Sequence, residues 1–278
     1  MVRDAILKRF PVGLQFFILA AILGIGAVGF SMHGQGGGVL YTPIQVLFGV
    51  DFHEAVVRSQ WFTIVTSMSA VLVFRKAGKV DWKLAFVLES TSFVGAFASG
   101  YFARSFSATV LTVVLATLVT CAAIAMLKEV DPPVGLVKEK PWHWMRTFGS
   151  AHYRVNLAAG LPLSFLIGIT AGLTGAAGGF LKIPMMVRLF GVPIDVAFGS
   201  SAFMVCLTAA GGLTGHIAAG SIDWLHMFAL SAFVAIGAQI GPHLTLRVSQ
   251  REMTRRFAYY LFCIAAAVVA TLWIKLPA

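Results

Sequence analysis

The stretch Gly172-Leu173-Thr174-Gly175-Ala176-Ala177-Gly178-Gly179-Phe180-Leu181-Lys182-Ile183-Pro184 decides the fold. Small residues and a lysine interrupt what is otherwise a succession of apolar helices. The glycines break the helical pattern and the proline restarts it. In a bilayer such a break uncovers backbone N–H and C=O groups that lipid cannot satisfy. It survives only where protein covers it, or where water and solute line it. The rest of the chain reads as scaffolding around this break and a second copy of it.

The 278 residues are 58% apolar and only 12% charged, about half the charge fraction of a soluble domain. Apolar runs long enough to span a bilayer recur from end to end, so the sequence predicts an all-α polytopic membrane protein. A transmembrane barrel is excluded, because its strands alternate over ~10 residues and these runs do not. The formal charge of +10 would suggest nucleic acid in a soluble protein. Here the excess sits in short loops, where Lys and Arg set orientation and favour anionic solutes. No nucleic-acid partner is expected. Cys121, Cys206 and Cys263 lie inside apolar runs without metal spacing, so they read as small hydrophobes, and no metal or cofactor is implied. Arg3, Lys8 and Arg9 precede the first apolar run without a cleavage site. Residues 1–12 therefore read as an amphipathic lead-in to a retained helix.

Ten apolar segments fall near 14–31, 38–50, 55–74, 83–103, 108–127, 156–174, 179–192, 194–217, 224–246 and 255–274. Those at 38–50 and 179–192 are short for a full span, which leaves eight to ten transmembrane or half-membrane helices. The polar interval 128–155 reads as a cytoplasmic linker between a first repeat, 1–127, and a second, 156–278. The halves share landmarks. Gly37-Gly38-Val39-Leu40-Tyr41-Thr42-Pro43 matches Gly178-Gly179-Phe180-Leu181-Lys182-Ile183-Pro184, Asp81-Trp82 matches Asp223-Trp224, and Gly95 matches Gly237. From Gly49 onward the offset is constant at 142 residues (191 − 49 and 223 − 81).

Loop charge swaps between the halves. Arg75, Lys76, Lys79 and Lys83 bracket one loop, and its counterpart from His216 to Asp223 has neither Lys nor Arg. Arg104 stands alone in the next loop, whose counterpart carries Arg247, Arg251, Arg255 and Arg256. Repeats inserted in opposite directions produce this swap. One fact resists it: an inverted five-plus-five layout with a cytoplasmic linker leaves Arg3, Lys8 and Arg9 outside. Eight crossings with two re-entrant segments cure that but expose the arginines at 247–256.

The motif Gly175-x-x-Gly178-Gly179-Phe180-Leu181-x-x-Pro184, followed by Phe190-Gly191-Val192, Ala197-x-Gly199-Ser200-Ser201 and Gly220-x-x-Asp223-Trp224, resembles the sulfite exporter TauE/SafE family. The first-half copy from Gly36 to Pro43 through Asp81-Trp82 resembles it too. The resemblance implies a duplicated helical protein of the bacterial inner membrane that moves sulfite, sulfonates, thiosulfate and related anions. Ser200-Ser201 and Arg58-Ser59 stand where the family usually has Thr-Ser, Gln35 where a glycine is common, and Lys182 where an apolar residue is frequent.

An anion must shed water to cross a membrane. Helix N-terminal N–H groups and hydroxyls replace that water, assisted by the helix dipole. Gly37 and Gly38, like Gly178 and Gly179, precede a helix and let a solute approach the backbone. Inverted repeats would bring the two breaks together near the bilayer midplane. The competing reading is that these glycines only permit close helix packing. Lys182 is a candidate partner for the anion, or a side chain that snorkels to the interface. Gln35, Ser59, Gln60, Ser200 and Ser201 are candidate donors, or interhelical glue. His33 and Glu89 are candidates for proton coupling; a plain polar contact competes for His33. Arg58 reads as an interfacial anchor or a partner for Glu54. Asp81 and Asp223 read as N-caps. His216, His226 and Gln239 have no informative spacing.

Gly24-Ile25-Gly26-Ala27-Val28-Gly29 matches a dinucleotide pattern but lies within an apolar helix, not between a strand and a helix. No Walker motif and no nucleophile elbow occurs, so neither ATP hydrolysis nor enzymatic catalysis is expected. The sequence thus predicts a secondary transporter of small sulfur-containing anions, exporting by alternating access, with a homodimer as one assembly. A passive anion channel, a carrier of another organic anion, and a membrane-embedded enzyme or accessory subunit are the rivals.

Overall fold

A computed structural model describes residues 12–127, 141–219 and 224–275. Ten helices fall within them: α1 (Val12–Met32), α2 (Gly38–Leu47), α3 (Phe52–Lys76), α4 (Trp82–Phe102), α5 (Ala108–Leu127), α6 (Leu157–Thr174), α7 (Gly179–Pro184), α8 (Ile194–Ala219), α9 (Trp224–Thr245) and α10 (Gln250–Lys275). Six of these are long and apolar enough to cross a membrane by length and composition. The protein is an all-α multi-pass membrane protein. Asp223 lies outside the described residues.

The short segments stay short. α2 has 10 residues, about 15 Å at 1.5 Å per residue, half of a hydrocarbon core about 30 Å thick. α7 has 6 residues and runs directly into a five-residue π-helical turn, Met185–Leu189. The sequence reading had Pro184 restart the helix. Instead the helix restarts at Gly179, and Pro184 sits at its end. Proline offers no N–H and crowds the carbonyl four residues back. Here the ladder slips to the wider π register immediately afterwards.

The main helix pairs cross between the two halves and mirror one another. α1 lies on α9 while α6 lies on α4, α3 packs on α8, and α5 packs on α10. Gly95 and Gly237, matched in the sequence, do the same work in these pairs. A Cβ built on Gly95 of α4 would lie 2.5 Å from the Phe165 carbonyl oxygen of α6, and one on Gly237 of α9 would lie 2.0 Å from that of Gly24 in α1. Backbones at that distance exclude any side chain, as small residues at membrane helix contacts allow.

The linker 128–155 is not wholly irregular. Residues 141–156 carry an antiparallel hairpin, β1 (His143–Phe148) and β2 (Ala151–Asn156), paired from His143↔Asn156 to Phe148↔Ala151 around Gly149-Ser150. It is fastened to the start of α4. Arg146 donates to both carboxylate oxygens of Asp81 at 2.6 and 2.8 Å through Nη2, and the Tyr153 hydroxyl donates to the same carboxylate. Asp81 also caps α4 by accepting from Leu84 N–H at 3.2 Å, as the N-cap reading expected. Its own N–H donates to Ser200 Oγ of α8 at 2.9 Å. Burial pushes the Asp81 carboxyl up, but Arg146, Tyr153 and Leu84 N–H together hold it below the usual carboxylate range. Burial, together with the bond to Asp81, raises the Tyr153 hydroxyl well above its ordinary value.

Candidate functional site

Both breaks use the same local geometry. Gly37 (φ 91°) and Gly178 (φ 74°) cap α2 and α7 in the left-handed conformation, which glycine adopts without strain. The Gly37 carbonyl accepts from Leu40 and Tyr41 N–H, both at 3.1 Å, and the Gly178 carbonyl accepts from Leu181 and Lys182 N–H, both at 3.0 Å. The N–H groups of Gly38, Val39, Gly179 and Phe180 precede the first closed turn and have no intrahelical acceptor. Ala177 stands at φ 52°, which costs a residue with a Cβ about 1–2 kcal/mol.

The breaks converge. A Cβ on Gly38 would lie 1.9 Å from the Gly175 carbonyl oxygen, and one on Gly179 would lie 2.7 Å from Gln35 Cα. Thr42 Oγ1 donates across to the Thr174 carbonyl at 3.2 Å. Close packing is therefore a demonstrated job of these glycines. Polar side chains line the same junction. A Cβ on Gly36 would lie 2.6 Å from Ser67 Oγ and 2.5 Å from Thr63 Cγ2. Gln35 is 2% exposed, Thr63 and Ser67 are 0% exposed, and both amide atoms of Gln35, Thr63 Oγ1 and Ser67 Oγ have no hydrogen-bond partner among the described residues. Buried polar groups are ordinarily paired, so their concentration at one junction marks it. Thr63 and Ser67 escaped the sequence reading. Their spacing of four on α3 places both on one helix face, and this was the available signal.

One turn beyond the second break lies a buried ion pair. Lys182 Nζ donates to Glu89 Oε2 at 2.6 Å and to Thr208 Oγ1. Thr208 in turn donates to Glu89 Oε1 and shares a 3.0 Å hydrogen bond with Ser92. Lys182, Thr208 and Ser92 are fully buried and Glu89 is 1% exposed. Lys182 therefore does not snorkel to an interface. Its charge meets a carboxylate from α4, so two residues expected to play separate parts form one unit. Thr208, one of four hydroxyl residues on α8, carried no sequence signal for this role.

The remaining candidates divide. Ser201 is buried with its hydroxyl unpartnered. Ser59 accepts from Gln45 Nε2 at 2.9 Å, and Gln60 Nε2 donates to the Ala171 carbonyl of α6 at 2.9 Å, so both tie helices together. Ser200 binds the Asp81 N–H, away from the breaks. His33 Nδ1–H donates to the Gly29 carbonyl at 2.8 Å. Its ring stacks on Tyr260 at 4.6 Å and packs beside Phe198 and Phe257, a plain polar contact in an aromatic nest. Arg58 pairs with Glu54. Among the described residues no group of His, Cys, Asp or Glu is placed to hold a metal ion.

Comparison with known proteins agrees with this architecture. The chain is 25% identical over 269 residues to the probable membrane transporter protein YunE of Bacillus subtilis (strain 168), covering 91% of this chain and 97% of that protein. It is 23% identical over 237 residues to the probable membrane transporter protein YdhB of the same organism, covering 84% and 88%. A probable membrane transporter protein of Haemophilus influenzae (strain ATCC 51907 / DSM 11121 / KW20 / Rd) is 23% identical over 276 residues, covering 90% and 97%. No solved structure matches. The family described as sulfite exporter TauE/SafE matches residues 18–268, and the chain, a multi-pass membrane protein among transporters, belongs to that family.

Proposed function

We propose that the protein carries small sulfur-containing anions, such as sulfite, thiosulfate and sulfonates, across the bacterial inner membrane by alternating access, with export as its direction. The observation that carries this is the meeting of two helix breaks beside Gln35, Thr63 and Ser67, whose buried polar atoms lack partners among the described residues. An anion there replaces its lost water with these donors and with the free N–H groups at the starts of α2 and α7. The mirrored pairs across the halves, α1 on α9 with α6 on α4, support two repeats, residues 1–127 and 156–278, inserted in opposite directions. The junction is packed closed, which fits a carrier that opens to one side at a time better than a standing pore.

Purified protein in liposomes tests the reading. Labelled thiosulfate or ethanesulfonate should enter with saturating kinetics, and unlabelled anion inside should accelerate entry by exchange. Flux that never saturates and never responds to internal anion would establish a passive channel instead. Transport of carboxylates with no response to any sulfur anion would overturn the substrate class.

A further inference from the structure

The geometry points to an ion-pair exchange at Lys182: the transported anion displaces Glu89 as the lysine's counter-ion while Glu89 takes up one proton. The inference rests on the anion-transport reading above and names the group that couples it to protons. Lys182 starts within reach of the junction. Its N–H bonds the Gly178 carbonyl that caps the second break, and helical side chains lean toward the N-terminal end of their helix. Thr208 links the two places. Three residues earlier on α8, Val205 touches both Gly36 and Gly179, since a Cβ on either would lie 2.6 and 3.0 Å from its methyl groups.

Charge conservation in a dry site supplies the coupling. Lys182 and Glu89 neutralise one another, and neither meets solvent. An anion that recruits the ammonium leaves the carboxylate buried without a partner, and an uncompensated buried charge is strongly unfavourable. Protonation removes that charge. The neutral carboxylic acid still satisfies Thr208, which donates and accepts. Among the described residues, the surroundings offer Glu89 no second cation. α7 contributes Lys182, α8 contributes Thr208 and the nearby Cys206, and α6, packed on Ser92 through Gly168, carries no titratable residue. The proton comes from the aqueous phase and the lysine stays an ammonium throughout. A univalent anion then moves with one proton and no net charge.

Calorimetric titration of the full-length protein in detergent tests this, with thiosulfate and ethanesulfonate as probes because neither titrates near neutral pH. Titration in two buffers of different ionisation enthalpy should report about one proton taken up per anion bound, and affinity should fall about tenfold per pH unit on the alkaline side. Glu89→Gln should bind the anion with no proton uptake and a flat pH profile, whereas His33→Gln should retain the uptake. The wild-type titration stands by itself if a variant fails to fold. Binding without proton uptake, or uptake lost in His33→Gln and kept in Glu89→Gln, overturns the exchange while leaving the anion site intact. Absence of binding by either probe at every pH overturns both the site and the exchange.

Discussion

Lys182 Nζ stands 2.6 Å from the Glu89 carboxylate, and neither side chain reaches the surface. An isolated charge at membrane depth is costly, so removing an unpaired lysine would not be expected to harm folding. The pairing reverses that expectation. Lys182→Met should lower stability by about 3–5 kcal/mol, because it strands a buried carboxylate. Adding Glu89→Gln to Lys182→Met should restore most of the loss. Thermal unfolding of the two single variants and the double variant in one detergent measures this, and additive losses would contradict it.

Thr63 and Ser67 offer the opposite test. Their hydroxyls are buried without partners among the described residues, so Thr63→Val and Ser67→Ala break no hydrogen bond to those residues. Both variants should unfold at or above the wild-type temperature, because an unsatisfied buried hydroxyl is itself unfavourable. Each should weaken anion binding about tenfold or more, since a hydrogen bond to a charged group contributes about 1.5–3 kcal/mol. Anion affinity and melting temperature, measured on the same preparations, decide the matter. A large stability loss with unchanged affinity would make these residues structural.

The glycines predict a graded series. Gly38→Ala places a Cβ 1.9 Å from a carbonyl oxygen of the opposite break, whereas a Cβ on Gly13 meets nothing within 4 Å. Gly38→Ala should therefore abolish folded, monodisperse protein. Gly13→Ala should be neutral or stabilising by up to about 1 kcal/mol, the helix preference of alanine. Yield and size-exclusion profile in detergent separate the two.

The hairpin latch predicts a pH window. Arg146, Tyr153 and Leu84 N–H hold the Asp81 carboxyl below the usual carboxylate range against the opposing effect of burial. A depressed folded value means the latch stabilises above the unfolded value of about 3.9, and is lost as pH falls through the folded value. Asp81→Asn should cost about 3 kcal/mol at neutral pH. The gap between wild type and Asp81→Asn should stay constant from about pH 5 to about pH 8, where the carboxyl is ionised in both the folded and the unfolded chain, and close only in stronger acid. Melting temperature against pH measures it.

The parts legible in the sequence were those written in local chemistry. Apolar runs marked the spans, and glycine clusters at 34–38 and 175–179 marked the breaks, because left-handed backbone demands glycine. The match of Gly95 with Gly237 anticipated equivalent packing jobs. What escaped was pairing at a distance. Nothing in Leu88-Glu89-Ser90 announces a lysine 93 residues away, and Thr208 is one hydroxyl among many. The hairpin was hidden by its charges. Two short runs around Gly149-Ser150 carry a recognised hairpin spacing, but Arg146 and Arg154 made the interval read as linker. The aromatic nest around His33 was equally illegible, because Phe198, Phe257 and Tyr260 come from far along the chain.

The crosswise pairing of helices has a consequence for biosynthesis. α1 waits for α9, α3 for α8 and α5 for α10, so the early helices enter the bilayer with their contact grooves facing lipid. Their final neighbours have not yet been translated. Neither half buries those faces by itself, so assembly should be completed only when the last helices leave the ribosome. Two separately synthesised halves, expressed in one cell, should find each other for the same reason, since each is the template on which the other closes.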